Sequence, residues 1–123
     1  MTHPDLAAAA RRFFDAVVAH DVSTLRSLIA DGAVLRLNGG PARPLALMSD
    51  PEVLAANART RGQHRYDDIR QIVGHRAVVE QHRVGPADGS RPGREVCAVL
   101  RFDDDGRITQ LDEHFDTAPA SPR

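Results

Sequence analysis

The sequence contains no lysine, no tryptophan, a single tyrosine and a single cysteine among its 123 residues. Without lysine, catalysis through a Schiff base on an ε-amino group is excluded. One cysteine cannot form a disulfide framework within the chain. Because Cys97 lies inside the apolar run "EVCAVLRF", we interpret it as a small buried side chain rather than a reactive thiol.

Neither sign of charge is in excess, and no long apolar run is present. The 16 basic and 17 acidic residues give a net charge of −1, which provides no general attraction to nucleic acid or to anionic membranes. No segment is apolar over the length that a membrane-spanning helix needs, and residues 1–12 lack the basic and then apolar order of a signal peptide. We therefore expect a cytoplasmic protein.

Length and composition predict one domain with its own core. Apolar residues make up 41% of the chain and charged residues 27%, which is typical of a globular protein. A chain of 123 residues is too short for two such domains. We place the domain at residues 6–116 and expect residues 1–5 and 117–123 to be flexible ends.

Three helices are predicted in the first half of the chain. The segments are residues 6–20, 22–30 and 51–61. Apolar side chains recur at helical spacing in the first two. Asp21 and Asp50 can cap the second and third helices, and the third has a proline at its first position. The Asp31–Gly32 pair is expected to end the second helix.

The second half of the chain alternates β-type runs with turn residues. The predicted strands are residues 33–37, 66–74, 76–84, 94–102 and 107–115. Only the first of them precedes the third helix, so helices and strands are segregated rather than alternating. This order indicates an α+β fold, in which three N-terminal helices cover one face of a curved antiparallel sheet.

The strand at residues 94–102 is apolar on both of its faces. Val96, Ala98 and Leu100 alternate with Cys97 and Val99. A strand that is apolar on both faces is usually buried on both, and the helices can cover only one. We therefore expect a homodimer formed through the outer face of the sheet, unless the exposed face is only modestly apolar.

The run "GRITQLDEHFD" carries four ionisable side chains near its end, and strand periodicity separates them. Leu111, Glu113 and Phe115 share one face, while Asp112 and His114 lie on the other. Glu113 is thus a lone carboxylate on an apolar wall, where burial would raise its pKa and suit it to acid or base catalysis.

Two other interpretations of these ionisable residues are open. Arg83 on a neighbouring strand could pair with Glu113 in a purely structural salt bridge. Asp112, His114 and Asp116 share a face, but same-face neighbours on one strand are about 6.6–7 Å apart and fit poorly around one small ion. We therefore expect no metal site.

These segments together resemble the nuclear-transport-factor-2-like superfamily, in its branch of SnoaL-like polyketide cyclases and limonene epoxide hydrolases. The resemblance rests on "FFDAVVAHDVSTLRSLIADGAVLRLN" and "DDGRITQLDEHFD" and extends over residues 6–116. It implies a cone-shaped α+β barrel with a deep apolar pocket. Members of the superfamily include isomerases, dehydratases, cyclases, epoxide hydrolases and non-enzymatic binding proteins, so the fold alone does not choose a function.

The resemblance to ketosteroid isomerases places Phe13, Ala98 and Leu37 at the positions of the catalytic groups. None of these side chains can donate or accept a proton. The sequence is therefore not expected to perform ketosteroid isomerase chemistry. Phe13 and Ala98 are expected to line the pocket instead.

The resemblance to limonene epoxide hydrolase is carried by "DEHFD", which is similar to the "RDYFD" motif and places Glu113 at the position of an acid. Asn38 matches an asparagine that holds water, although an asparagine before two glycines is also a common turn residue. "EQHR" puts Gln81 and Arg83 where an arginine and an aspartate are expected. A slip of one residue would put His82 and Val84 there.

Two functions from different classes follow. The first is a cofactor-free enzyme of acid/base chemistry on a small apolar substrate, such as a cyclase, isomerase, dehydratase or epoxide hydrolase. Glu113 would be its acid or base. The expected substrate-binding residues are Phe13, Asn38, Gln81, Arg83, Ala98, Leu111 and Phe115. The second is a binding or scaffold module without catalysis, which the loss of both catalytic sets, that of ketosteroid isomerase and that of limonene epoxide hydrolase, favours.

Overall fold

The computed structural model describes residues 5–116, without the side chains of residues 60 and 61. The segments 1–4 and 117–123, within the expected flexible ends, lie outside the described residues. No helix within residues 5–116 combines the length and the apolar character needed to cross a membrane.

Three α-helices form close to the predicted positions. They are α1 Leu6–Ala19, α2 Val22–Leu28 and α3 Pro51–Arg61. Asp21 caps α2 by accepting a hydrogen bond from the backbone N–H of Thr24, and Asp50 caps α3 by accepting one from Glu52. Both caps are the ones predicted from the sequence.

The second helix ends earlier than predicted. β1 covers Ile29–Leu37, so the Asp31–Gly32 pair lies inside a strand rather than at the end of a helix. The pairing of β1 shifts register between Ile29 and Val34, and Gly32 has a φ of +73° within this irregular stretch. A glycine supplies the backbone conformation that such a bulge needs, which is why the same dipeptide serves here in a strand.

The sheet has six strands in the order β2-β1-β6-β5-β4-β3. The remaining strands are β2 Arg43–Pro44, β3 His64–Gly74, β4 Ala77–Pro86, β5 Arg94–Phe102 and β6 Ile108–Phe115. The α+β fold is confirmed, but the sheet is mixed rather than wholly antiparallel because β1 runs parallel to β6. Neither β2 nor the short 3-10 helix at Leu45–Ser49 was predicted.

The core lies between the helices and the inner face of the sheet. Phe13 and Phe14 of α1 are almost fully buried and touch edge to face. The sheet contributes alternate residues of β5, namely Val96, Ala98 and Leu100. Cys97 and Val99 lie between them on the outer face and are only partly buried. The helices therefore cover one face of β5, as its alternation predicts.

β6 departs from strict alternation at its start. Leu111 is buried on the inner face as predicted, but Ile108, which periodicity assigns to the outer face, is also fully buried. The pairing with β5 shifts register between Arg101 and Phe102, so that Phe102 pairs with Ile108. The extra residue reverses the orientation of the strand before it reaches Leu111.

Candidate functional site

Two acidic residues occupy one row across the inner face of the sheet. Ala98 of β5 pairs with Glu80 of β4 on one side and with Glu113 of β6 on the other. Adjacent strands are about 4.8 Å apart, so the two backbones are separated by about 10 Å. Only the methyl group of Ala98 lies between them on this face. The two side chains therefore start from positions in one row of the same sheet face.

Glu80 is fully buried, and its carboxylate accepts three hydrogen bonds. The donors are Arg11 Nη1 at 2.9 Å, Gln71 Nε2 at 2.9 Å and His82 Nδ1 at 2.6 Å. Burial raises the pKa of Glu80, but the hydrogen bonds from His82 and Gln71 and the charge of Arg11 outweigh it and hold the pKa below its usual range. Glu80 is therefore a buried carboxylate that stays ionised.

His82 lies two residues further along the same face of β4 and is 1% exposed. Because the ionised Glu80 can only accept hydrogen bonds, Nδ1 of His82 carries the proton in their contact. In the neutral imidazole this leaves Nε2 unprotonated and able to accept a proton. The ring packs against Phe14 and Tyr66, with centroid distances of 4.7 and 4.6 Å.

Glu113 has the opposite environment. Its side chain is partly buried, and within residues 5–116 its carboxyl group forms no hydrogen bond and no ion pair. Burial raises the pKa of Glu113, and the nearby His82 offsets this only in part. A carboxyl group in such surroundings keeps its proton to a higher pH than an exposed one does.

The structure places several of the sequence-predicted residues beside Glu113. Leu111 precedes it on the same face and is fully buried, and Phe115 follows it and is partly buried. Phe13 and Ala98 are fully buried in the same core. The apolar wall expected from the alternation of β6 is therefore present around this carboxyl group.

Gln81 and Arg83 do not join this site. They lie on the outer face of β4, because the inner face carries Glu80 and His82. Arg83 contacts Glu95 at 2.7 Å and Asp68 at 3.4 Å. The salt bridge between Arg83 and Glu113 that the sequence allowed does not form. Of the two registers considered for this strand, the one with His82 inside is found.

Asn38 joins the end of β1 to β6 by two hydrogen bonds. Its φ is +52°, and its backbone N–H donates to the carbonyl oxygen of Glu113 at 2.8 Å. Its side-chain Oδ1 accepts a hydrogen bond from the backbone N–H of Phe115, also at 2.8 Å. Asn38 thus holds the backbone on both sides of the Glu113 side chain, in the turn conformation that its sequence context predicts.

Four polar residues of this cluster were not predicted as site residues from the sequence. They are Arg11, Tyr66, Gln71 and Glu80. The sequence did contain a signal for Glu80. Glu80 shares one face of β4 with Val78 and His82, and the apolar Val78 indicates that this face covers the core. The pairing of Arg11 with Glu80 joins residues 69 positions apart, and no sequence pattern encodes it.

A small cavity lies elsewhere, between the end of α1, α3 and the start of β3. Its volume is about 40 Å³, and its wall includes Val17, Met48, Leu54, His20 and His64. Glu80 and Glu113 are not among its lining residues. The deep apolar pocket beside Glu113 that the resemblance implies stays a prediction.

Asp112 and His114 lie on the face of β6 opposite to Glu113. Asp112 accepts a hydrogen bond from Gln110 Nε2 at 2.6 Å, and His114 lies across from Cys97. Over the described part of the chain, no three histidine, cysteine, aspartate or glutamate side chains are grouped to hold a metal ion.

Comparison with known proteins identifies the domain. The family described as the SnoaL-like domain matches residues 10–111, which is most of the chain. No curated protein matches the sequence significantly.

Solved structures show the same fold at low identity. An uncharacterized cystatin fold protein from Novosphingobium aromaticivorans is 25% identical with a TM-score of 0.69, covering 89% of this chain and 97% of that one. An LEH-like epoxide hydrolase from M. tuberculosis is 22% identical with a TM-score of 0.63, covering 93% of this chain and 84% of that one. A candidate polyketide cyclase from Sinorhizobium meliloti is 19% identical with a TM-score of 0.66, covering 89% and 94%.

Proposed function

We propose that this chain, which belongs to the SnoaL-like domain family, is an enzyme of acid/base chemistry acting on a small apolar substrate. Two of its structural relatives carry names of enzymes, an epoxide hydrolase and a candidate polyketide cyclase. Both kinds of reaction move protons to and from carbon or oxygen atoms. The proposal needs no cofactor, because a proton donor and a proton acceptor are both present as side chains.

The observation that carries the proposal is the contrast between Glu80 and Glu113. They flank Ala98 on one sheet face, and their environments move their pKa values in opposite directions. Titratable groups whose pKa values are driven apart within one site are the usual basis for assigning an acid and a base. Because Nδ1 of His82 donates a hydrogen bond to the ionised Glu80, we assign His82 as the base.

In this scheme Nε2 of His82 removes a proton from a substrate carbon or from a water molecule. The carboxyl group of Glu113 gives its proton to the substrate oxygen on which negative charge develops. The imidazolium that forms is stabilised by the ionised Glu80, which holds Nδ1–H at 2.6 Å. Return of a proton from His82 to Glu113, through product or solvent, restores both groups.

Replacing His82 by asparagine tests the base. The amide can still donate to Glu80, but it cannot accept a proton as imidazole does. Against a panel of terpenoid epoxides, aromatic polyketide-like compounds and cyclic ketones, we expect the wild type to turn over at least one compound. With that compound, His82→Asn should lower kcat about 100-fold, because water can partly replace the base. Unchanged kcat would contradict the assignment.

The alternative is a ligand-binding or scaffold module without catalysis. The dense packing of Phe13, Leu100 and Leu111 under the helices favours it, and the 40 Å³ cavity holds none of the ionisable core residues. The same panel separates the two functions. Compounds that raise the melting temperature without being converted would indicate a binding protein.

We also propose that the protein forms a homodimer through the outer face of its sheet. Ile72 pairs with Val79, and Val79 pairs with Val99, so three apolar side chains form a row across this face. Ile72 is 73% exposed in the single chain, and Cys97 lies beside the row on the same face. An exposed apolar row of this kind is typical of a surface that a second protein covers.

Replacing Val99 by arginine tests the dimer. A charge in the centre of the apolar row should prevent association, because it would be buried without a dedicated partner. Sedimentation equilibrium is expected to give a dimer for the wild type and a monomer for Val99→Arg. Ser23→Arg, on the exposed surface of α2, is the matched control and should remain dimeric. A monomeric wild type would reject the proposal.

A further inference from the structure

Strand β3 contains one extra residue where it passes the proposed base, His82. Asp67 pairs with Arg83 and Arg70 pairs with Gln81, and the register of the two strands shifts between these pairs. Two residues of β3 therefore lie opposite one residue of β4, which is a β-bulge. Bulges of this kind often re-aim a side chain beside a functional site.

The first of the two bulge residues, Asp68, has a left-handed backbone with a φ of +52°. Asp68 is the one described non-glycine residue with a positive φ inside a strand, because the other three lie between elements: His20, Asn38 and Arg76. Aspartate tolerates this conformation better than most residues do. The Asp68 carboxylate also contacts Arg83 on the outer face at 3.4 Å. Both features fix the bulge at this point of the strand.

The bulge decides which face of the sheet Tyr66 occupies. Gln71 faces inward, where it donates a hydrogen bond to Glu80. Positions 66 and 71 are an odd number of residues apart, so strict alternation would turn Tyr66 outward. The extra residue reverses the orientation once, and Tyr66 faces inward with its ring centroid 4.6 Å from that of His82.

Tyr66 covers His82 on the side of the sheet edge. In the described range, β3 is the last strand of the sheet on this side. Tyr66 itself is partly buried, while His82 behind it is only 1% exposed. Phe14 packs against the same imidazole at 4.7 Å, and Glu80 accepts the hydrogen bond from its Nδ1. The orientation of the ring is therefore fixed by three residues, of which Tyr66 is the one nearest the edge.

We propose that Asp68 is a positioning residue for the base. Its left-handed backbone forms the bulge that turns Tyr66 inward, and the ring of Tyr66 then fixes the imidazole of His82 and shields it from water. This role rests on the proposed function, in which His82 is the base. Arg83 acts indirectly, since its guanidinium group holds the side chain of Asp68 from the outer face.

Reaction with diethyl pyrocarbonate measures the shielding, because this reagent modifies accessible, unprotonated imidazole groups and mass spectrometry locates the modified histidine. Asp68→Val and Asp68→Gly both remove the carboxylate, but valine disfavours a positive φ and glycine adopts it freely. Modification of His82 should be about tenfold faster in Asp68→Val than in the wild type. The rate should be unchanged in Asp68→Gly. The exposed His20 is the internal reference.

The position of Tyr66 can be followed directly. It is the only tyrosine in a chain without tryptophan, so the tyrosine band of the near-ultraviolet circular dichroism reports this residue alone. Asp68→Val should weaken the band, and Asp68→Gly should retain it. Arg76→Val is the control for general destabilisation, because Arg76 also has a positive φ but lies between β3 and β4. This control should leave the band and the modification rate of His82 unchanged.

A second pair of variants tests the shielding with the bulge intact, and it serves also where Asp68→Val does not fold. Tyr66→Phe keeps the ring and should protect His82 as the wild type does, whereas Tyr66→Ala removes the ring and should expose it. Full protection of His82 in Tyr66→Ala would overturn the shielding. Equal rates in Asp68→Gly and Asp68→Val, or an equal rise in Arg76→Val, would overturn the role of the Asp68 backbone. The proposed function is judged separately, by the effect of His82→Asn on turnover.

Discussion

Turnover should fall by about 10³- to 10⁴-fold when Glu113 is replaced by glutamine, with little change in KM. The amide keeps the size of the side chain but cannot give up a proton to a developing oxyanion. The other carboxyl group in this row, that of Glu80, stays ionised and so cannot replace the acid. The effect is therefore placed near the upper end of the range for acid catalysis. Steady-state kinetics on a compound converted by the wild type measure it.

The control for this experiment is Asp112→Asn, an acid-to-amide change on the adjacent residue of the same strand. Asp112 faces outward and accepts a hydrogen bond from Gln110, so its variant should retain wild-type kcat.

The dependence of turnover on pH gives a second test of Glu113 as the acid. Because the pKa of Glu113 is raised, wild-type turnover should persist above the usual carboxyl range and decline as pH rises through the raised pKa. Full activity of Glu113→Gln would remove Glu113 from the mechanism.

Replacing Arg11 by methionine should destabilise the fold by about 3 kcal/mol, the lower end of the range for breaking a buried ion pair. Methionine retains the apolar stem but leaves the charge of Glu80, which is 0% exposed, without its cation. Gln71 and His82 still donate to that carboxylate, which limits the loss. Thermal unfolding should show a melting temperature about 10 °C lower.

Arg65→Met is the matched control, because Arg65 pairs with Asp67 at 2.9 Å while both side chains are about half exposed. Such a surface pair contributes at most about 1 kcal/mol. The pKa of Glu80 lies below its unfolded value, so its stabilisation is present above that value and lost as pH falls through the folded pKa. The difference between Arg11→Met and the wild type should shrink in acid. Equal losses for both arginine variants would contradict a buried pair.

The fold could be predicted because its signals are local. Asp21 and Asp50 cap helices by contacts that span two or three residues, and the two-faced apolar pattern of β5 follows from periodicity alone. The parallel pairing of β1 with β6 could not be predicted in the same way. It depends on which strands meet after the helices have packed, which no local pattern records.

The candidate site was predicted only in part, for the same reason. Glu113 could be identified because β6 has one apolar face. Its neighbour β4 offers two plausible faces, and a change of one residue exchanges Gln81 and Arg83 for Glu80 and His82. A buried carboxylate is also improbable unless its partners are known. Those partners, Arg11 and Gln71, come from another helix and another strand.

The pairing of β1 with β6 has a consequence for how the protein acquires its structure during synthesis. Asn38 and Phe115, which are joined by a hydrogen bond, are 77 residues apart in the chain. The ribosome makes β6 after the other five strands, so until then β1 and β5 are unpaired edges that can associate with other chains. Contacts of such long range form slowly. Glu113 therefore joins its apolar surroundings last. A nascent chain contains His82 and Glu80 before Glu113 has been synthesised.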